Sequence, residues 1–372
     1  MNPLLALRQC GQSVWLDHIS RRLITSGTLQ RMIDEDGLEG MTSNPTIFDK
    51  AIAGSSDYDA GLQRALEADG NAANRALVER LIVEDIQSAA DMFRPVYRDS
   101  DGLNGFVSLE VSPGLAHDTA ATIAEARHLW QVVARPNVMI KLPATREGIP
   151  AVEALTAEGI NVNITLMFSL QHYEAVAQAY LRGLDRHPNP KHVASVASVF
   201  VSRLDAVADR LLQDIGSPQA LALRGTIAIA NARRIYHRFR EIFQGERFAR
   251  LAQRGARVQR PLWASTGTKN PSYSDVLYLE SLVAPDTVTT VPPKTMDAFR
   301  DHGRGQVALG TEKTDAEATA TLNKAAALGL DVRAITEQLQ IDGIAAFASS
   351  FEQLIDTVGV KRRELVIPAR LT

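Results

Sequence analysis

A lysine stands at the end of an apolar run in the stretch VMIKLPATREGI, residues 138–149. Lys141 lies two residues before Pro143, which ends a predicted strand where the chain turns toward a helix. A charged amine at the end of a buried strand is costly unless it has a partner or a task. In a partly desolvated site a lysine loses its proton more easily, and the free amine can attack a ketone to form a Schiff base. Lys141 is therefore the first candidate for a catalytic residue.

Other predicted strands also end in polar residues. These are Asp17, Asn44, Glu110, Asn163, Thr165, Ser198 and, just beyond its strand, Arg203. Each alone has a structural explanation: Asp17 could cap a helix, Asn44 could hold a turn, and Glu110 could pair with an arginine. Together they would be costly to crowd at one end of a sheet unless they bond to one another or to a ligand.

Two carboxylates beside a Schiff-base lysine indicate a specific reaction. A protonated imine is an electron sink, so a neighbouring carbon–carbon bond can break to leave an enamine. Asp17 could take the proton from the hydroxyl of the departing carbon. Glu110 could order a water for the proton transfers, and Thr165 could hold that water. This chemistry needs neither a metal nor an organic cofactor, and the 8 histidines show no metal-ligand spacing.

Cations after the sixth and seventh predicted strands indicate a phosphate-binding end. Arg203 follows SVFVS, and Lys269 lies in the segment STGTKN. In the same segment Ser265 and residues 266–268 supply hydroxyls and a flexible backbone of the kind that cradles oxyanions. In a barrel, the loops after the last strands are the usual phosphate side.

The order of the predicted elements favours a closed (β/α)₈ barrel. Short apolar runs alternate with helical periodicities, at 13–17, 38–44, 105–111, 137–142, 161–167, 193–201, 260–266 and 287–291. Several runs are almost continuously apolar, as parallel strands covered on both faces require. Asp118, Pro150 and Ser169 are start signals of the helices between them. Chemistry in such a barrel sits at the carboxyl ends of the strands, where the polar residues fall.

Two further helical segments are predicted outside the repeating unit. One is an insertion at 45–104 after the second strand, which includes an amphipathic helix at 74–94. The other is a C-terminal extension at 316–372. No linker rich in Pro, Gly or Ser marks a boundary, so we expect a single domain over 1–372.

Composition narrows the class of protein. A net charge of −3 argues against nucleic-acid binding, and the Arg-rich stretch 233–260 has the spacing of a solvated face of an amphipathic helix. The single cysteine, Cys10, rules out a disulfide framework. No apolar run reaches the roughly 18 residues of a membrane span, and no signal-peptide pattern opens the chain. We therefore expect a cytoplasmic protein with no membrane partner.

Several motifs in register resemble the transaldolase family. They are MTSNPTIFDKAI, VSLEVSPGLAHD, VMIKLPATREGIPAVEAL, GINVNITLMFS, SVASVFVSRLD and RPLWASTGTKNPSYSD. The STGTKN form and the long insertion resemble the bacterial branch of roughly this chain length. The resemblance implies reversible transfer of a dihydroxyacetone unit from sedoheptulose 7-phosphate to glyceraldehyde 3-phosphate. The products are erythrose 4-phosphate and fructose 6-phosphate, in the non-oxidative pentose phosphate pathway.

The resemblance also implies a role for each matching residue. Lys141 matches the Schiff-base lysine, Asp17 the acid/base, and Glu110 with Thr165 the pair that holds the catalytic water. The residues implied to contact substrate are Asn44, Asn163, Ser198, Phe200 and Arg203, the last of these through phosphate. Shorter members carry a second phosphate-binding arginine in the loop after the seventh strand. Here Lys269 is the nearest cation, and Ser265 could share its role.

Three other functions compete with this one. A fructose 6-phosphate aldolase would release free dihydroxyacetone, but relatives of that type carry a glutamine and a tyrosine where this chain has Glu110 and Phe200. A barrel kept as a scaffold would be expected to have lost Lys141 or a carboxylate. A phosphosugar isomerase needs a base but no Schiff-base lysine, so Lys141→Met would leave it partly active. The sequence leaves open whether the protein is a monomer or a homodimer, and what residues 340–372 do.

Overall fold

Eight parallel strands close into one barrel. The structure is a computed structural model and describes residues 2–366. The strands are β1 (Gln12–Asp17), β2 (Gly40–Thr42), β3 (Phe106–Glu110), β4 (Val138–Pro143), β5 (Val162–Met167), β6 (Ser195–Phe200), β7 (Gln259–Ala264) and β8 (Thr287–Val291). Each strand pairs with the next, and β8 pairs with β1. The predicted (β/α)₈ barrel is confirmed, with every strand end within two residues of its predicted place.

Helices surround the barrel and connect successive strands. Before β3 they are α1 (Pro3–Gln9), α2 (Arg21–Thr25), α3 (Thr28–Asp36), α4 (Pro45–Ala53), α5 (Asp59–Ala68), α6 (Asn74–Met92) and α7 (Arg94–Asp99). Between β3 and β7 they are α8 (Thr119–Val133), α9 (Gly148–Ala157), α10 (Leu170–Arg186), α11 (Ser202–Ile215), α12 (Pro218–Leu221), α13 (Ile227–Phe243) and α14 (Glu246–Ala252). After β7 follow α15 (Leu277–Ser281), α16 (Pro293–His302), α17 (Glu312–Ala327) and α18 (Val332–Val366).

The helix starts follow the capping signals of the sequence. Asp118 accepts a hydrogen bond from the backbone N–H of Ala121, and Ser169 accepts one from that of His172. Each bond satisfies a backbone donor that the first turn of a helix leaves unpaired. Pro150 lies in the first turn of α9, as predicted. These caps fix where each helix departs from the carboxyl end of its strand.

The insertion and the extension are both helical. Four helices, α4 to α7, lie between β2 and β3, and α6 buries the apolar face predicted for 74–94. The extension comprises α17 and α18 and begins slightly before the predicted residue 316; its last part, 367–372, lies outside the described residues. We propose that both belong with the barrel to one domain, because α18 packs on α4, α6 and α11.

The Arg-rich stretch 233–260 is only partly the solvated helix that its spacing predicts. Its first part lies in α13 and α14, with Ile235 and Phe239 buried. Its last residue, Arg260, also begins the predicted strand run 260–266 and lies in β7, but its side chain is buried and donates to Ser13 Oγ, Asn104 Oδ1 and the Leu103 carbonyl oxygen. The prediction was wrong here because three acceptors on other elements satisfy this guanidinium, and sequence spacing does not reveal them.

Gly148, the first residue of α9, lies where a side chain has no room. A Cβ atom here would overlap the Pro143 carbonyl oxygen and come 3.0 Å from Thr145 Oγ1. We expect Gly148→Ala to lower the free energy of unfolding by about 1–3 kcal/mol, because the turn after β4 must move to admit the methyl group. Urea denaturation measures this loss. Gly114→Ala is the control, since its added Cβ meets no atom within 4 Å; equal stability of the two variants would contradict the prediction.

Candidate active site

The carboxyl ends of the strands open into a cavity of about 390 Å³. Nine of the predicted residues line it: Asp17, Asn44, Lys141, Thr165, Ser198, Phe200, Arg203, Ser265 and Lys269. The other two, Glu110 and Asn163, are hydrogen-bonded to members of that set. The structure therefore brings together all the residues singled out in the sequence.

Lys141 and Glu110 form a buried ion pair at the floor of the cavity. Their side chains are 6% and 7% exposed, and Lys141 Nζ lies 3.2 Å from Glu110 Oε2. The amine also donates to the Ser43 carbonyl oxygen at 2.9 Å. Burial raises the pKa of Glu110 above its ordinary value, and the nearby Lys141 ammonium offsets this only in part. Glu110 is thus placed to exchange a proton with the amine.

Asp17 is held by two threonines that the sequence analysis did not single out. Thr42 Oγ1 donates to Asp17 Oδ1 at 2.8 Å and lies 2.7 Å from Thr290 Oγ1. A hydroxyl has a single proton, so Thr290 must be the donor to Thr42. This chain of hydrogen bonds fixes one oxygen of the carboxylate and leaves the other available to a ligand. Threonines are common in strands, so no sequence signal distinguishes this pair.

A buried polar layer underlies the lysine. Asn163, which pairs with Lys141 in the strand register, accepts from Ser198 Oγ at 2.6 Å and donates to Ser108 Oγ at 3.0 Å. Thr165 is also buried, yet its hydroxyl has no hydrogen-bond partner in the part of the chain that the structure describes. A buried hydroxyl without a partner is a place for a water molecule or a ligand atom. Thr165 lines the cavity, so its hydroxyl is available to such a group.

Asn44 caps the start of α4, where a turn had been its structural alternative, and it also borders the cavity. Its side-chain oxygen accepts a hydrogen bond from the backbone N–H of Ile47 at the start of α4. The amide NH₂ group of the same side chain donates no hydrogen bond within residues 2–366, so it is available to a ligand in the cavity. Glu110 pairs with a lysine, whereas the structural alternative had been an arginine.

The phosphate candidates lie together at another part of the rim. Arg203 stands at the start of α11, and burial lowers the pKa of its guanidinium, while the charges of Asp17 and Glu110 act in the opposite sense. Ser265 has a left-handed backbone, φ 55°, and its hydroxyl lies 3.0 Å from Ser202 Oγ. Lys269 is exposed in the loop that follows β7. This part of the cavity wall therefore combines two cations, Arg203 and Lys269, with the hydroxyl of Ser265.

Two tyrosines form hydrogen bonds to α11: Tyr273 lies in the loop that carries Lys269, and Tyr278 lies in α15, which follows that loop. Tyr273 donates to Asp209 at 2.6 Å, and Tyr278 donates to Asp205 at 2.9 Å. Burial raises the pKa of Asp205 to about 6, although three hydrogen bonds to it act in the opposite sense. Because Arg203 and both aspartates lie on α11, these bonds fix the distance between the loop and the guanidinium.

Two further residues of the cavity wall were missed in the sequence. Lys50 of α4 is exposed at the rim, and no pattern separates it from an ordinary surface lysine. Phe347 of α18 is buried against the cavity, although it lies far along the chain from every strand. The helical spacing of apolar residues predicts that Phe347 lies on the apolar face of α18. It does not predict which surface of the protein that face covers.

His18 does not join the candidate site. It lines a separate cavity with residues of α3 and α16, and burial lowers its pKa. Within residues 2–366, no three side chains of the His, Cys, Asp and Glu types are grouped so as to hold a metal ion. Over the same range, none of the helices combines the length and the apolar character of a membrane span.

Comparison with known proteins adds independent evidence. The family model described as Transaldolase/Fructose-6-phosphate aldolase matches residues 14–358. A transaldolase of Mycobacterium tuberculosis is 47% identical over 362 residues, which is 95% of this chain and 96% of that protein. Transaldolases of Mycobacterium marinum and Mycolicibacterium smegmatis are each 46% identical, with the same two coverages. The chain therefore belongs to the transaldolase/fructose-6-phosphate aldolase family and is a transferase enzyme of the transaldolase type.

Proposed function

We propose that the protein transfers a dihydroxyacetone unit from sedoheptulose 7-phosphate to glyceraldehyde 3-phosphate, through a Schiff base on Lys141. The products are erythrose 4-phosphate and fructose 6-phosphate, in the cytoplasmic, non-oxidative pentose phosphate pathway. The observation that carries the proposal is the buried amine of Lys141, 3.2 Å from Glu110, in a cavity that Asp17 also lines. The similarity to transaldolases along nearly the whole chain supports it.

Imine formation begins with attack of the Lys141 amine on the C2 carbonyl carbon of the ketose. The carbinolamine then loses its hydroxyl as water, and the proton needed for this departure comes from Glu110. The Glu110 carboxylate obtains this proton from the Lys141 ammonium, its partner in the ion pair, and burial raises the pKa of Glu110, which favours this exchange. The hydroxyl of Thr165, which is buried without a partner, would hold the water that leaves and later returns.

Cleavage uses the second carboxylate. Asp17 accepts the proton of the C4 hydroxyl, the C3–C4 bond breaks, and its electron pair moves into the imine to give an enamine. The aldehyde product leaves, and the acceptor aldehyde takes its place. The enamine then attacks the new carbonyl carbon while Asp17 returns the proton to the oxygen. The hydrogen bond from Thr42 keeps the carboxylate oriented through both steps.

Each sugar substrate of this reaction carries a phosphate at the end remote from its reacting carbonyl. Arg203 is our candidate for the main phosphate ligand, since a guanidinium can bind phosphate through two parallel hydrogen bonds. Lys269 would add a point charge and Ser265 a hydroxyl from the loop beside it. Asn44, Asn163, Ser198 and Phe200 remain predicted contacts of the sugar chain.

The alternative function is a fructose 6-phosphate aldolase. It uses the same lysine, but water hydrolyses the three-carbon imine and releases free dihydroxyacetone. An assay of two mixtures separates the two functions. With sedoheptulose 7-phosphate and glyceraldehyde 3-phosphate we expect fructose 6-phosphate and erythrose 4-phosphate in equal amounts. With fructose 6-phosphate alone we expect no sustained release of dihydroxyacetone. Steady release of dihydroxyacetone, without transfer in the first mixture, would overturn the proposal in favour of the aldolase.

Glu110→Gln should change the pH dependence as well as the rate. We expect kcat/KM to fall by about 10²-fold, at the lower end of what a positioned proton-transfer group contributes. In the free protein Glu110 must be ionised to take the proton of the Lys141 ammonium, which it then gives to the carbinolamine hydroxyl, so kcat/KM should fall with decreasing pH through the raised pKa of Glu110. The glutamine variant cannot titrate and should lack this part of the acid limb. A pH profile of kcat/KM for both proteins tests this, and unchanged acid limbs would contradict it.

A further inference from the structure

The guanidinium of Arg203 is held in an unusual way. It borders the cavity, yet it donates no hydrogen bond to any residue in the range 2–366 and forms no ion pair there. Instead two aromatic rings flank it, with the Arg203 Cζ atom 5.0 Å from the ring centre of Phe200 and 5.6 Å from that of Phe347. A half-buried arginine therefore keeps its N–H groups free for a ligand.

Aromatic contacts suit this purpose. The face of an aromatic ring attracts the positive guanidinium. The N–H groups of the guanidinium donate hydrogen bonds within its own plane, so a ring in contact with it need not occupy them. Contact with two rings thus restrains the side chain without using a single donor. Phe200 is one fixed wall, because it ends β6 and packs on Phe168 at 5.2 Å between ring centres. The other wall comes from the C-terminal extension.

Helix α18 is fixed on both sides of Phe347. Gln340 donates to the carbonyl oxygens of Ala144 at 3.0 Å and Leu166 at 2.9 Å, which lie at the ends of β4 and β5. Ser350 accepts a hydrogen bond from Thr46 on α4 at 2.8 Å. The spacing of three residues from 347 to 350 and of seven from 340 to 347 puts these side chains on one face of the helix.

The helix also comes very close to the barrel one turn before Phe347. A Cβ atom on Gly343 would lie 2.9 Å from Leu166 Cδ2 and 3.7 Å from Arg203 Nη1. Leu166 itself has a left-handed backbone, φ 55°, at the end of β5. Such a conformation persists in a leucine only where its surroundings enforce it, and the bond from Gln340 to its carbonyl oxygen is one such restraint.

We propose that Phe347 is a positioning residue for phosphate recognition, through which the C-terminal helix holds the Arg203 guanidinium against Phe200. The inference rests on the proposed function, because it takes Arg203 to be the phosphate ligand. Helix α18 would then contribute to substrate affinity, because its residue Phe347 forms one side of the cavity at the phosphate-binding end. Phe347 need not touch the reacting atoms.

The test is Phe347→Leu, examined by adduct formation on Lys141 in the presence of borohydride. We expect the fructose 6-phosphate concentration that gives half-maximal adduct to rise by about five- to tenfold, the effect of losing one desolvated cation–aromatic contact. For fructose, which lacks the phosphate, the half-maximal concentration should not change. Phe347→Tyr, which keeps the ring, should restore the affinity for fructose 6-phosphate.

Phe351→Leu is the matched control. Phe351 lies one turn further along α18, and its ring is 5.4 Å from the Arg75 Cζ atom, away from the cavity lining. The substitution removes the same kind of contact from the same helix, and we expect no selective loss for the phosphorylated ketose. Equal losses for both ketoses in Phe347→Leu, or the same selective loss in Phe351→Leu, would overturn the inference. Absence of any adduct in the unaltered protein would instead refute the proposed function, and the inference with it.

Discussion

Lys141→Met is expected to abolish transfer between sugar phosphates. Methionine keeps the length of the side chain but has no nucleophile, so we expect kcat/KM to fall by about 10⁴-fold or more, as when a covalent catalyst is removed. Glu110 would lose its partner and take up a proton, because an unpaired buried carboxylate is strongly disfavoured. The measurement is the transfer assay with sedoheptulose 7-phosphate and glyceraldehyde 3-phosphate.

A matched lysine separates this effect from loss of charge. Lys294 also follows the carboxyl end of a strand, β8, but it is exposed and lies outside the cavity lining. Lys294→Met should retain transfer activity. Substantial transfer by Lys141→Met, in a sample whose circular dichroism matches the unaltered protein, would contradict the Schiff-base mechanism. Such residual activity would show that the three-carbon unit is carried without a covalent bond to Lys141.

Asp17→Asn is expected to stop the reaction one step later. The amide cannot accept the proton of the C4 hydroxyl, so the C3–C4 bond should stay intact while the imine still forms. We expect the transfer rate to fall by about 10²- to 10⁴-fold, the usual contribution of a general base. With fructose 6-phosphate as substrate, borohydride should then trap the whole six-carbon sugar phosphate on Lys141. The unaltered protein should also give an adduct of the three-carbon unit. The mass of the modified peptide distinguishes these two adducts.

The control is a carboxylate at the opposite end of the barrel. Asp286 is exposed just before β8, and its left-handed backbone, φ 56°, is one that asparagine also adopts. Asp286→Asn should leave both the rate and the adduct mass unchanged. A three-carbon adduct formed at the normal rate by Asp17→Asn would show that another group takes the proton.

Much of this site could be predicted from the sequence because the barrel topology brings the ends of all eight strands together at one mouth. Residues at the carboxyl ends of the strands lie at the same mouth of a barrel, so the sequence alone was enough to group Asp17, Glu110 and Lys141. Strongly apolar runs and clear helix caps also fixed the element order. The assignment of individual roles to these residues still rests on chemistry and on the family resemblance.

What the sequence did not reveal depends on contacts between distant segments. Thr42 and Thr290 are ordinary strand threonines until the barrel closes and brings each within hydrogen-bonding distance of its partner. Phe347 belongs to a helix whose docking site on the mouth is set by tertiary packing, which helical periodicity does not encode. The burial of Arg260 was missed for the same reason, although residue 260 was predicted to begin a strand, since its buried acceptors come from remote parts of the chain.

Trapping with borohydride is the most direct test of the proposed Schiff base on Lys141. The protein is incubated with fructose 6-phosphate and reduced, and its peptides are then mapped by mass spectrometry. We expect a reduced dihydroxyacetone adduct on Lys141 and on no other lysine. An adduct on another lysine, or none at all in a folded sample, would contradict the assignment of the candidate site.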